Sequence, residues 1–198
     1  TRALPVADVY PTGVQPNIDG LMESDIWDKM LPLRSFYWHS GAFRSEVETV
    51  VKVTYGKEYL YVSFENYEPN IKKTKRISTT KDSRNVLADD SVEVFLKVPG
   101  RTQYYHLAVN MNNAQFDERV NKSDWNGEWT SGVSIFEDKW IVEFKIPFKD
   151  IEYEPSVGES IKANFVRNRF QETDPYSHWS PTYNSPHTPA RFGTLVFR

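Results

Sequence analysis

Cysteine is absent from all 198 residues, which excludes a disulfide scaffold, a thiolate zinc site and a cysteine nucleophile. No apolar run approaches the ~18 residues needed to cross a bilayer, so no membrane span is expected. Excess basic charge is missing too. With 24 Lys and Arg against 27 Asp and Glu, the net charge is −3, and the general attraction to phosphate backbones is lacking. No nucleic-acid partner is expected. Neither a GxSxG elbow nor a P-loop occurs, and the four histidines (His39, His106, His178, His187) lack HExxH spacing, which argues against zinc. The chain begins at Thr1 without a charged-then-apolar leader, so a targeting segment is expected to be absent or already removed.

What is present is period-two alternation. Thr49–Tyr55, Glu58–Glu65, Ser91–Val98, Tyr104–Asn110, Val133–Phe136, Lys139–Ile146, Ile161–Phe170 and Thr194–Phe197 all read as strands. Only Asp25–Met30 and the stretch after Pro147 look helical. Many short strands between Gly, Pro and Asp punctuation predict an all-β fold, an antiparallel β-sandwich of jelly-roll-like form, as one domain over residues 1–198. Three long polar segments, 67–88, 112–128 and 171–191, exceed ordinary connections and are candidates for functional loops. The triplet Asn121-Lys122-Ser123 is a glycosylation sequon of the kind that arises by chance.

The hairpin of Ser91–Val98 and Tyr104–Asn110 permits a geometric inference. Val92, Val94, Leu96 and Val98 face inward on the first strand, and Tyr105, Leu107 and Val109 on the second, so opposed residue numbers must sum to an odd value. With the connection at 99–103, that parity pairs Val98 with Tyr105 and sets Glu93 opposite Asn110, Phe95 opposite Ala108 and Lys97 opposite His106. A carboxylate then lies beside a carboxamide on the outer face, with small Ala108 leaving room for a ligand.

Six tryptophans add to this picture. Trp140 fits a core pattern, and Trp27 is expected to plug the sandwich behind an acidic turn. Trp38, Trp125, Trp129 and Trp179 sit in or beside loops, where an exposed indole can stack on the C–H face of a pyranose. Asp19, Glu23, Asp25 and Asp28 offer oxygen ligands that could coordinate structural calcium, but they lack the spacing of a known calcium loop and read more simply as exposed acidic turns. Asp90, Glu93 and Glu143 are the carboxylates open to glycoside hydrolysis, yet Glu93 and Glu143 read more simply as outward strand residues and Asp90 as the cap of a strand entry, so no catalytic residue is assigned and no enzyme expected. Met111 and His106 point to opposite faces, which counts against a haem-binding electron-transfer domain.

Several blocks then resemble family 9 carbohydrate-binding modules. They are Pro16-Asn17-Ile18-Asp19-Gly20 followed by Trp27, Glu58-Tyr59-Leu60-Tyr61-Val62, Asp90-Ser91-Val92-Glu93-Val94-Phe95-Leu96, Trp140-Ile141-Val142-Glu143-Phe144-Lys145-Ile146-Pro147-Phe148, Asn164-Phe165-Val166-Arg167, Trp179-Ser180-Pro181 and Pro189-Ala190-Arg191-Phe192-Gly193-Thr194-Leu195. The resemblance implies a β-sandwich that binds oligosaccharide or polysaccharide, secreted or periplasmic, as an accessory to glycan-degrading machinery, with structural calcium in some members. It implies that Glu93 and Asn110 hold sugar hydroxyls. On this reading Asn112 joins them, Tyr183, Asn184 and His187 close the loop side, and Trp179 packs at the site's base. The two family tryptophans that clamp the terminal sugar are replaced by Leu87 and Pro186, and a neighbouring arginine by Ala108. These replacements keep a second reading open, a sandwich scaffold or protein-interaction domain that has lost its sugar site.

Overall fold

Alternating sequence becomes strand where one face can enter a shared core. The computed structural model describes residues 1–120 and 124–198, so the sequon lies outside the described residues. The strands are β1 (Val6–Pro11), β2 (Tyr37–Trp38), β3 (Thr49–Tyr55), β4 (Tyr59–Tyr67), β5 (Ser91–Lys97), β6 (Tyr105–Asn110), β7 (Gln115–Arg119), β8 (Thr130–Ile135), β9 (Lys139–Pro147), β10 (Ser160–Asn168), β11 (Tyr176–His178) and β12 (Gly193–Phe197). One helical turn, Ser24–Trp27, and a 3-10 turn, Phe148–Ile151, occupy the two segments expected to be helical.

The strands follow a single path, β7-β6-β5-β10-β12-β1-β3-β4-β9-β8, with β11 beside β10 and β2 beside β11. Two layers arise because β1 changes partner along its length: Val6–Val9 pair with β12, and Tyr10–Pro11 with β3. Both pairings are parallel, so the all-antiparallel expectation is corrected to a mixed sheet. Antiparallel neighbours joined by tight turns are visible in sequence, whereas parallel pairing joins segments far apart in the chain. At the other end of the path, Gln115 Nε2 donates to Ser131 Oγ at 2.8 Å and Asn113 Nδ2 to the Ser131 carbonyl at 3.2 Å. Edge strands β7 and β8 are thereby tied, and the sandwich is nearly closed into a barrel.

Between the layers lie Val51 and Val53 of β3, Leu60, Val62 and Phe64 of β4, Val92, Val94 and Leu96 of β5, Tyr105, Leu107 and Val109 of β6, and Trp140, Val142, Phe144 and Ile146 of β9. These are the inward positions the alternation marks. Full burial of such a side chain stabilises by roughly 1.5–3 kcal/mol, which fixes each strand's face.

Two expectations fail here. Trp125 and Trp129 are not exposed stacking platforms but extend the same core, as does Trp179. Trp129 stacks on Phe144 at 5.6 Å, Trp125 packs on Tyr105 at 5.0 Å, and Trp179 meets Phe165 at 5.6 Å. A Cβ at Gly193 would stand 2.3 Å from the Trp179 ring, which accounts for the glycine of Phe192-Gly193. Indoles flanking strands cap the ends of the core instead of facing solvent. The second correction is register: Ser91 opposes Asn110, Glu93 opposes Ala108 and Phe95 opposes His106. The ladder has slid by two residues because the connection is longer than expected, Tyr104 leaving the ladder to pack on Phe192 at 5.7 Å. An even slide keeps every side chain on its face, so burial enforced the parity and left the register to the turn.

Candidate functional site

The outer face of β5, β6 and β10 is covered rather than solvated. Phe95, Tyr104, Val166 and Phe192 form one small apolar cluster on it, and Val86, Ala108, Ala114 and Phe116 another. Between these runs a buried polar row. His106 stacks on Phe95 at 4.2 Å and shares a 2.6 Å hydrogen bond through Nε2 with Glu93 Oε1. The other Glu93 oxygen accepts from Asn168 Nδ2 at 2.8 Å. The acid does meet an amide in this face, but from β10, not from β6.

Above this row opens a recess of about 380 Å³, near the lower end of the ~300–1,000 Å³ typical of small-ligand sites. Its floor is Glu93, His106, Val166 and Asn168. Its walls come from the long polar segments: Leu87 from the first, and Tyr176, His178 and 184–187 from the third, with His39 added from the β2 side. All four histidines of the chain therefore line one cavity.

Electrostatics differ sharply around it. Burial alone would raise the Glu93 carboxyl, but the His106 hydrogen bond and charge and the Asn168 amide outweigh it and lower its pKa. Burial opposes charge on His106 as well, and the carboxylates of Glu118 and Glu93 overcome it, so its pKa is raised. Glu118 Oε1 stands 3.2 Å from His106 Nδ1. His178 meets no such partner, and burial pushes it down to about 4. Its Nδ1 shares a hydrogen bond with Thr182 at 3.2 Å, while buried Nε2 and the Oδ1 of Asn168 have no protein partner. Two unsatisfied polar atoms on the cavity lining are what a polar ligand would complete.

Of the residues singled out by sequence, Glu93, Asn184 and His187 meet in the recess; Asn110, Asn112, Tyr183 and Trp179 do not line it. Asn110 is a buried loop staple. Its Nδ2 donates to Ser78 O and Asp89 Oδ2, and its Oδ1 accepts from the amides of Asn112 and Ala114. Asn112 donates to the carbonyls of Arg76 and Ser78. Tyr183 turns its hydroxyl to Arg2 N at 2.7 Å and packs against Arg191. Missed by the sequence reading were His106, Asn168, Tyr176, His39 and His178. Asn168 shares the outward parity of Val166 on β10, a signal that needs only the β5–β10 pairing to be read.

The remaining candidates separate. Glu143 lies in the other layer, buried under Trp27, whose Nε1 donates to it at 2.8 Å. Asp90 accepts from Phe170 N at 3.1 Å. Neither lines the recess with Glu93 as a carboxylate pair. Met111 is in the main core, away from the face that carries His106. Glu23 is turned to Asn17 and Asp19 to Leu21 N.

The fold and recess now meet the comparisons. The carbohydrate family 9 binding domain-like family matches residues 18–198, and the chain belongs to that family of carbohydrate-binding modules. A family 9 module from Caldicellulosiruptor kristjanssonii in complex with cellotriose superposes with a TM-score of 0.70 at 19% identity, over 98% of this chain and 93% of that one. The same organism's module in complex with glucose gives 0.69 at 20% identity, over 96% and 95%. Endo-1,4-beta-xylanase A of Thermotoga maritima is 29% identical over 191 residues, 91% of this chain. The chain spans only 17% of that relative's length.

Proposed function

We propose that this domain is a non-catalytic module that holds a glycan unit in the recess over Glu93. The observation that carries the reading is the cavity itself: a charged acceptor, donor and acceptor amides, and imidazoles converge on a space of about 380 Å³ beside exposed Tyr176. Sugar hydroxyls would exchange hydrogen bonds with Glu93, Asn168, His178 and Asn184, and the Tyr176 ring, 42% exposed, offers a face for pyranose C–H groups. In solved relatives of this fold the bound sugars are cellotriose and glucose, and β-1,4-linked glucose and xylose oligomers are the first ligands to try here. We place the module outside the cytoplasm as an accessory to glycan-degrading machinery, as the xylanase relative suggests. Structural calcium elsewhere in the domain stays part of this proposal.

Leu87 and Pro186, which the resemblance sets at the positions of the family's clamp tryptophans, line the recess, so stacking is reduced. Affinity is expected near the millimolar end, about −4 kcal/mol. That same replacement favours a second reading, a scaffold that kept the sandwich and gave up the sugar. Calorimetry and a glycan array with parent, Glu93→Ala and Tyr176→Ala decide between them. Glu93→Ala should abolish measurable binding, and Tyr176→Ala should weaken it about 2–10-fold, the worth of an aromatic contact. Sugar binding unchanged in Glu93→Ala removes the proposed site, and no binding to any glycan selects the scaffold.

A further inference from the structure

His106 is held in a way that neutral imidazole does not satisfy. Nε2 stands 2.6 Å from Glu93 Oε1 and Nδ1 stands 3.2 Å from Glu118 Oε1, and an ionised carboxylate only accepts. A neutral ring that donates from Nε2 to Glu93 has only a lone pair at Nδ1 to turn toward Glu118, so that contact takes a second proton, on the ring or on the carboxyl, or a cation held by both groups. His187 reaches the same place from the loop after β11. Its Nε2 is 3.9 Å from Glu118 Oε1, beyond hydrogen-bond distance, and one ligand atom from each of the three residues lies within 4.8 Å of the others.

Each of these residues is also braced from behind. The Nε2 of His106 is fixed by Glu93, the Nδ1 of His187 by the Tyr104 hydroxyl at 2.9 Å, and the second oxygen of Glu118 by Arg84 at 2.6 Å. Outer partners of this kind set tautomer and ring orientation in metal centres. Ligand atoms around a tetrahedral zinc ion at ~2.0–2.1 Å stand about 3.3–3.4 Å apart, close to the 3.2 Å already held by His106 and Glu118. From this geometry we propose that His106 Nδ1, Glu118 and His187 Nε2 form a site for a divalent transition-metal ion of the zinc type. Two imidazoles and one carboxylate suit zinc better than a hard cation that prefers oxygen. Three protein ligands leave a coordination position, and because His106 and His187 line the recess, an ion there would border the space proposed for the glycan. The inference stands on the ligand geometry and does not require that a sugar bind.

Zinc chloride is titrated into chelator-treated protein by calorimetry, and cobalt(II) is added in parallel for its visible absorption. One equivalent of zinc should bind with micromolar or tighter affinity, and cobalt should give the intense bands of a four-coordinate site. His187→Ala and Glu118→Gln should each weaken zinc at least tenfold, with folding checked by circular dichroism. His187 and Glu118 are only half-buried, so the two variants back each other if one fails to fold. His39→Ala, a recess histidine outside the ligand set, should bind zinc as the parent does. Absence of stoichiometric zinc binding overturns the site. Parent-like affinity in both ligand variants, or equal loss in His39→Ala, overturns it too by placing the ion elsewhere. Sugar titrations of the metal-free protein test the glycan reading separately.

Discussion

Two glutamates, Glu93 and Glu143, occupy matching places in the two layers. Each is the outward residue in the middle of an alternating strand, each strand has a neighbour on both sides, and each side chain is buried. Their surroundings differ. Glu143 is sealed: Trp27 Nε1 donates to one oxygen, and the amides of Gly20 and Asp19 donate to the other at 2.7 and 3.2 Å. Gly20 manages this at a φ of 81°, with a would-be Cβ 2.4 Å from Ser134 N, so only glycine fits. Ile26, Trp27, Met30 and Tyr61 close over the face as a separate apolar cluster. Burial dominates there and raises the Glu143 pKa despite three donors. Glu93 lies instead beneath an opening, its charge matched by His106, and its pKa is lowered. The same strand pattern thus yields a structural clasp in one layer and the floor of a cavity in the other, according to which loop covers it.

The contrast can be broken from either side. The largest effect is expected from Trp27→Ala, which empties the clasp: about 3–5 kcal/mol of stability should be lost in urea melts, while recess ligands bind unchanged below the transition. A comparable loss of ligand affinity would mean that the two faces are coupled. Next comes Asn110→Ala, which leaves four hydrogen bonds unmade; stability should fall by about 1–3 kcal/mol with sugar affinity kept. Affinity lost in a variant that remains folded would return Asn110 to the binding site. The smallest effect is a slope. A raised carboxyl stabilises the fold fully below its ordinary pKa of about 4.3 and gives that stability up as pH rises through its folded value. Asp19 is the nearby acid that adds to the rise. Glu143→Gln should therefore gain stability relative to the parent as pH rises from about 4, in melts at a series of pH values. A pH-independent difference would show that Glu143 does not titrate differently in the folded state.

Much of this architecture was legible in the chain. The inward sets of β3, β4, β5, β6 and β9 followed from alternation because a two-residue period leaves one choice of face once a core exists. Among the described residues, four strands escaped notice: β1, β2, β7 and β11. β2 and β11 are two and three residues long, too short for a period, and β1 pairs in parallel with segments far along the chain. The site was half legible: Glu93 stood out because a charge interrupts an apolar strand. Asn110 was singled out because the expected register set it opposite Glu93, and it was misplaced, since a side chain's parity does not say whether its amide is already engaged by a loop.

The amino-acid order by itself determined the class of fold, the face of each long strand and the family, because burial energy is written locally in every second side chain. Only the folded chain decided the partner strands of β1, the two-residue slide of the β5–β6 ladder and the meeting of residues 39, 93, 106, 168, 178 and 187 around one cavity. Those outcomes depend on how long loops close over a sheet, and loop closure is set by contacts between residues that no spacing in the sequence connects.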